Sequence, residues 1–224
     1  MDWHAWHERY DRPGSGYPRR LETVQVRFRE ELDRMPPGPI RVVSLCGGQG
    51  HDVVGALTGH PRAADAHVRL VELDPRNVRD ARAAAAAAGL AHFEAIAGDA
   101  ADTAHYAGSV PADIALVCGL FGNISDADIE RTVDHCGELV RDGGAVIWTR
   151  HRQEPDVFPR ICGWFEERGF TRQWVSAPDA GYGVGVHRST TAPRPLTPGA
   201  SLFTFVGYDV LRGVQETTPK VSTA

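Results

Sequence analysis

Ile40 to Asp52 reads IRVVSLCGGQGHD: a short apolar run breaks into small residues and leads at once into DVVGAL, a segment able to form a helix. A strand, a glycine turn and a helix in that order expose backbone N–H groups at the head of the helix, an arrangement that cradles nucleotide-like ligands. Glycine suits such a turn because the backbone there can need positive φ, and because a Cβ would hold a ligand off the main chain. Glu72 closes the next apolar run, VRLVELDP. It stands at about the spacing, roughly 20 residues, at which an acid of a βαβ unit bonds ribose hydroxyls. Asp74 competes for that role, but its place before Pro75 suits a helix cap.

Outward from this unit the chain keeps alternating apolar runs with helical segments. Upstream, Leu21, Val24, Phe28 and Leu32 recur on one helical face, and Pro36-Pro37-Gly38-Pro39 ends that helix. The first strand is expected over Ile40–Leu45, a helix over Gln49–Leu57 and a second strand over His67–Leu73. The alanine run Ala83 to Ala88 makes a close-packing helix that Gly89 stops. Further strands are expected over His92–Ala97, Asp113–Cys118, Ala145–Thr149, Thr171–Val175 and Leu202–Tyr208. Ser125 and Asp128 have the spacing of a capping box and open one more helix; another spans Pro155–Arg168. Pro178 to Ala200, rich in glycine and proline, reads as a separating loop. Strands alternating with helices predict an α/β protein with a mostly parallel, doubly wound sheet and helices on both faces.

Four signatures now stand in order: the glycine turn, Glu72, Gly98-Asp99-Ala100 and Leu139-Val140-Arg141-Asp142-Gly143-Gly144. With them the chain resembles the class I S-adenosylmethionine-dependent methyltransferases, over roughly Val24 to Phe205. The family's acid-x-Gly-x-Gly-x-Gly pattern falls on Ser44, Cys46, Gly48 and Gly50, so its acid and first glycine are replaced here. These departures bear on how the methionine end is held. The resemblance implies a Rossmann-like sheet of seven strands whose last is antiparallel, and S-adenosyl-L-methionine as cofactor. It implies that Cys46, Gly47, Gly48 and Gly50 lie along the methionine and ribose, that Glu72 with Leu73 meets the ribose, and that Asp99 with Ala100 meets the adenine. Open α/β sheets bind ligands at the carboxyl ends of their strands, which adds Cys118, Gly119, Phe121 and Asn123 after the fourth strand and Arg150 and His151 after the fifth.

At 224 residues the chain is long enough for one sizeable α/β domain, and 42% hydrophobic with 24% charged residues is ordinary globular composition. The domain is expected over residues 37–212, after a lid and helical extension at 1–36 and before an unstructured tail at 213–224. A net charge of −5 argues against nucleic acid as partner. The chain has no apolar run of roughly 18 residues and no signal-peptide core, so a cytoplasmic protein with no membrane partner is expected, acting on a small molecule as monomer or homodimer. Cys46, Cys118, Cys136 and Cys162 form no C-x-x-C pair and read as buried reduced thiols. His4 and His7 lack a third ligand in view, so no metal is expected.

Methyl transfer from a sulfonium needs mostly in-line positioning, and a general base matters only where the nucleophile carries a proton. His151 is the first candidate for that base, His187 in GVGVHRS the second and Tyr10 the third. Arg150 and Arg152 suit a carboxylate or phosphate on a substrate. The aromatic start WHAWHERYD suits either a lid over the cofactor or plain packing. Two other classes share parts of the pattern: a nicotinamide-dependent oxidoreductase, which leaves Gly98-Asp99-Ala100 unexplained, and a fold relative that binds the cofactor without methylating.

Overall fold

A computed structural model describes residues 16–216 of the chain; Tyr10, the rest of the expected lid segment before Gly16, and residues 217–224 lie outside the described residues. Seven strands form one sheet: β1 (Ile40–Leu45), β2 (Ala66–Glu72), β3 (Phe93–Ala97), β4 (Ala112–Val117), β5 (Val140–His151), β6 (Phe170–Val175) and β7 (Tyr182–Ser189). Their order is β3-β2-β1-β4-β5-β7-β6. Strands β1 to β5 pair in parallel, and β7 runs antiparallel to both β5 and β6. Buried on both faces, β1 and β4 read as nearly unbroken apolar runs, as central parallel strands do.

Helices cover both faces. On one, α1 (Gly16–Arg34) brings Val24, Phe28 and Leu32, and α2 (His51–Leu57) brings Val53, Ala56 and Leu57, onto Val42, Val68 and Ile114. Beside them α3 (Pro75–Ala87) sets Val78 and Ala81 on Leu70. On the opposite face, α4 (Asp126–Leu139) and α5 (Phe158–Glu167) pack Ile129, Val133, Ile161 and Phe165 against Val43, Val117 and Trp148. Local chemistry sets the helix starts. Asp74 accepts from Arg76 N at 2.8 Å, and Ser125 Oγ accepts from Asp128 N at 3.1 Å. Arg29 fastens α1 to α2, donating to the carbonyls of Gly55 and Ala56 at the α2 C-terminus.

The last strand is not where the sequence suggested. It is β7, inside the stretch expected to be a loop, while Leu202–Tyr208 is irregular and pinned at its start by Leu202 N donating to Ala101 O at 2.8 Å. The glycines of β7 are packing residues and not chain breakers: a Cβ on Gly185 would sit 2.4 Å from the Trp148 ring, and one on Gly183 2.4 Å from Phe158. Strand β5 is also longer than expected. It starts at Val140, and the Asp142-Gly143-Gly144 turn lies inside it as an irregularity against β4. A final helix, α6 (Tyr208–Glu216), covers the first residues of the segment expected to be an unstructured tail.

Candidate active site

Strand order reverses between β1 and β4, and the crevice outside their carboxyl ends is where an open α/β sheet accepts a ligand. An open cleft of about 1060 Å³, its solvent-filled mouth included, lies there. Nine of the residues assigned to a cofactor from sequence line it: Cys46, Gly47, Gly48, Glu72, Leu73, Asp99, Ala100, Cys118 and Gly119. Gly50 does not. It is the left-handed cap of α2, at φ 74°, and its carbonyl accepts from Val54 N.

The turn itself holds a finding that the sequence could not show. The N–H groups of its three glycines are already spent inside the protein: Gly47 N donates to Val71 O at 3.1 Å, Gly48 N to Glu72 Oε2 at 3.0 Å and Gly50 N to Gly47 O at 2.9 Å. Gly47 has no room for a side chain, since a Cβ would lie 2.4 Å from Leu70 Cγ and 2.9 Å from Ser44 Oγ. Cys46 takes positive φ, 50°, where the resembling family has glycine. Burial, with the charges of Glu72 and Asp99 added, pushes its thiol up and keeps it protonated.

Glu72 is buried at the end of β2, and its Oε1 accepts from Asp74 N at 2.9 Å and Asn77 Nδ2 at 3.4 Å. Two carboxylate oxygens offer about four lone-pair sites, and with Gly48 N, Asp74 N and Asn77 Nδ2 already donating, Glu72 retains about one for a hydroxyl donor, on Oε2. Leu73 stands beside it, 71% exposed, an apolar surface for a flat ring. Asp99 accepts from Ala101 N through Oδ1 at 2.9 Å, and Tyr106 steadies that loop by donating to Ala100 O. Across the cavity, Gly119 N donates to Thr149 Oγ1 at 2.8 Å, which ties the ends of β4 and β5 together.

Sequence reasoning missed several walls of this cavity. Arg20, Leu21 and Val24 come from α1, Asn77 from α3, and Phe203 and Phe205 from the irregular segment before α6. No local pattern marks them, because tertiary packing alone brings those elements to the strand ends. Asp52, in the first turn of α2, was passed over as part of the helix; burial in the wall raises its carboxyl, against the lowering pull of its backbone bonds, His51 and Arg20. Among the described lining residues, Asp52, Glu72 and Asp99 supply negative charge and Arg20 positive charge.

A second cavity of about 690 Å³ adjoins Asn123 and is lined by Arg150, His151 and Tyr208 among others. Asn123 lines the first cavity, while its chain neighbours Gly122 and Ile124 line the second. Its Nδ2 donates to Gly119 O at 2.7 Å, its carbonyl accepts from Val206 N and Gly207 N, and its Oδ1 accepts from Tyr208 N at 3.0 Å. His151 stands edge-on to the Tyr208 ring at 5.4 Å and accepts from Gln153 N through Nδ1. Arg150 is buried and donates to Phe121 O. Arg152 is held elsewhere, paired with Asp156 at 3.3 Å and lying over Phe158.

His187, the second candidate base, lines neither cavity. It is fully buried, accepts from Trp148 Nε1 at 3.0 Å and stacks on Phe165. Burial, with Arg172 nearby, lowers it to about 3, so it is a neutral core acceptor. The sign follows from linkage. The unfolded chain binds a proton near pH 6.5 that the folded one refuses, so stability is full above about pH 6.5 and falls as pH drops toward about 3. Urea unfolding at neutral and acid pH should show His187→Phe less stable at neutral pH, with Trp148 left unpaired, yet less sensitive to acid. An acid dependence unchanged by that substitution would remove His187 from the account.

A family model described as "Putative methyltransferase" matches residues 19–160. No curated protein matches the sequence. Among solved structures, the chain is similar to an O-methyltransferase family protein from Burkholderia thailandensis at 18% identity and TM-score 0.62, covering 78% of this chain and 56% of that one. It is similar to the 1,6-didemethyltoxoflavin-N1-methyltransferase of the same organism, solved with S-adenosylhomocysteine, at 16% identity and TM-score 0.61, covering 84% of each chain. Fibrillarin from Aeropyrum pernix, with natively bound S-adenosyl-L-methionine, follows at 17% identity and TM-score 0.52, covering 67% of this chain and 66% of that one. The chain therefore spans little more than half the length of the first of these. At such identities the likeness is one of fold.

Proposed function

The chain belongs to this methyltransferase family, and we propose that its larger cavity takes S-adenosyl-L-methionine for methyl transfer to an O, N or C nucleophile of a small polar molecule. One observation carries the choice of cofactor. A dinucleotide's pyrophosphate needs free N–H donors over the glycine turn, but those of Gly47, Gly48 and Gly50 are spent internally. The described wall also sets Asp52, Glu72 and Asp99 against Arg20. Such a wall repels a pyrophosphate and suits a ligand carrying a sulfonium, an ammonium, a ribose diol and an adenine amine.

The residues fit that ligand part by part. Glu72 retains an acceptor site for a hydroxyl of the diol, Asp99 is an acceptor for the adenine amine, and Leu73 offers an apolar surface to the ring. When bound, the sulfonium supplies an electrophilic methyl group with its leaving group already in place. What the chain adds is position and dryness, with Cys118, Gly119 and Thr149 at the ends of β4 and β5 and Phe203 and Phe205 as apolar wall. The adjoining cavity with Arg150 and His151 is our candidate for the acceptor, and His151 for any base that the acceptor needs. No described helix is long and apolar enough to cross a membrane. Four cysteines free of disulfides fit a reducing, cytoplasmic setting.

Calorimetry should show S-adenosylhomocysteine binding in the micromolar range or tighter and no binding of NAD. Clear NAD binding with none of the sulfur compound would sink this reading. Radiolabelled cofactor and a panel of small polar metabolites then test for transfer.

A further inference from the structure

The resembling family places an acid at the end of its first strand, and here that place is Ser44. Ser44 cannot take over a ligand contact: it is 0% exposed, its Oγ has no hydrogen-bond partner, and it is not part of the cavity wall. The glycine turn does not replace it either, because backbone N–H groups cannot accept from an ammonium, and those of its three glycines are already bonded within the protein. A zwitterionic amino-acid end needs a negative acceptor for its ammonium, and Asp52 is the carboxylate that remains.

We infer that Asp52, and not a residue of the first strand, receives the α-ammonium of the cofactor's methionine end; this rests on reading the cavity as an S-adenosylmethionine site. Asp52 lines the cavity two residues beyond the turn. Its Oδ1 accepts from Val53 N at 2.8 Å, which fixes the carboxylate at the head of α2. Glu72 and Asp99 already accept from the turn, from Asp74 N and from the loop after β3, and it is the Cys46 thiol that feels their charges, whereas Cys118 feels Asp52 and Arg20. Arg20 stands on the same wall as Asp52 and is felt by it, with the charge that the α-carboxylate requires. Burial destabilises the charged form of Asp52, and an ammonium brought against it offsets that cost. The acid has in effect moved from the strand to the helix that follows the turn.

The test compares two ligands that share the adenosine and thioether but differ in the amino-acid end: S-adenosylhomocysteine and 5′-methylthioadenosine. Calorimetry on the wild type, Asp52→Asn and Ser44→Ala reads both. Asp52→Asn should weaken S-adenosylhomocysteine about tenfold or more, through loss of a charged acceptor, and leave 5′-methylthioadenosine within about twofold. Ser44→Ala should leave both within about twofold. Retained methylthioadenosine binding also certifies that the variant is folded. The assignment is overturned if Asp52→Asn weakens both ligands alike or neither, or if Ser44→Ala alone weakens the homocysteine compound. Wild-type protein that binds neither ligand removes the cofactor reading, and this assignment with it. Wild-type protein that binds both, with Asp52→Asn unchanged, removes this assignment alone.

Discussion

Glu72→Ala should lower affinity for S-adenosylhomocysteine by about tenfold or more, since the ribose hydroxyls lose a charged acceptor worth roughly 1.5–3 kcal/mol. The same change reaches beyond the ligand. Gly48 N, Asp74 N and Asn77 Nδ2 all donate to this carboxylate, and removing it leaves buried donors unpaired at about 1–3 kcal/mol. The melting temperature should therefore fall with the affinity. Glu72→Gln separates the two effects: it keeps one acceptor oxygen for the turn, so it should recover most of the stability and less of the binding. Asp74→Ala is the control. It removes the α3 cap, at about 1 kcal/mol, and should leave affinity unchanged. An Asp74→Ala protein that loses the ligand while Glu72→Ala keeps it would place the ribose contact two residues later.

Gly47→Ala is expected to be nearly as damaging, and for a reason that a ligand-centred view of glycine turns would miss. The added carbon would lie 2.4 Å and 2.6 Å from Leu70 Cγ and Cδ1, and 2.9 Å from Ser44 Oγ. Leu70 is wholly buried against Val78 and Ala81, so the turn has to move. Overpacking of this kind costs roughly 1–3 kcal/mol. Cys46, Gly48 and the bond from Gly48 N to Glu72 Oε2 move with it, so cofactor affinity should fall in the same variant. Gly59→Ala, at φ 71° with nothing within 4 Å, isolates the strain of positive φ and should cost about 1 kcal/mol without touching affinity. Combining Gly47→Ala with Leu70→Ala should restore part of the binding, because the smaller neighbour leaves room. Lost affinity with an unchanged melting temperature would mean that Gly47 is glycine for the ligand's sake and not for Leu70's.

Much of this fold was legible in the residues because it is encoded locally. A run such as VVSL followed by Gly47 and Gly48 states strand and turn through side-chain period and backbone freedom. Asp74-Pro75 and Ser125 with Asp128 state helix starts through the hydrogen bonds that their own side chains make. Glu72 and Asp99 follow from strand ends, and strand ends bind ligands in an open sheet. The α/β order of elements from β1 to β6 thus came from the sequence by itself. What it left undecided are relations between distant residues. Gly183 and Gly185 look like loop formers until Trp148 and Phe158 are packed over them as a strand. His187 looks like a base until Trp148 donates to it inside the core. The glycine turn looks like a donor cradle until Val71 O and Glu72 take its N–H groups, leaving an acid-rich wall built in part by α1 and the segment before α6. Local patterns fix period and caps, but which donors are spent and which groups share a wall is set only when segments far apart in sequence close on one another.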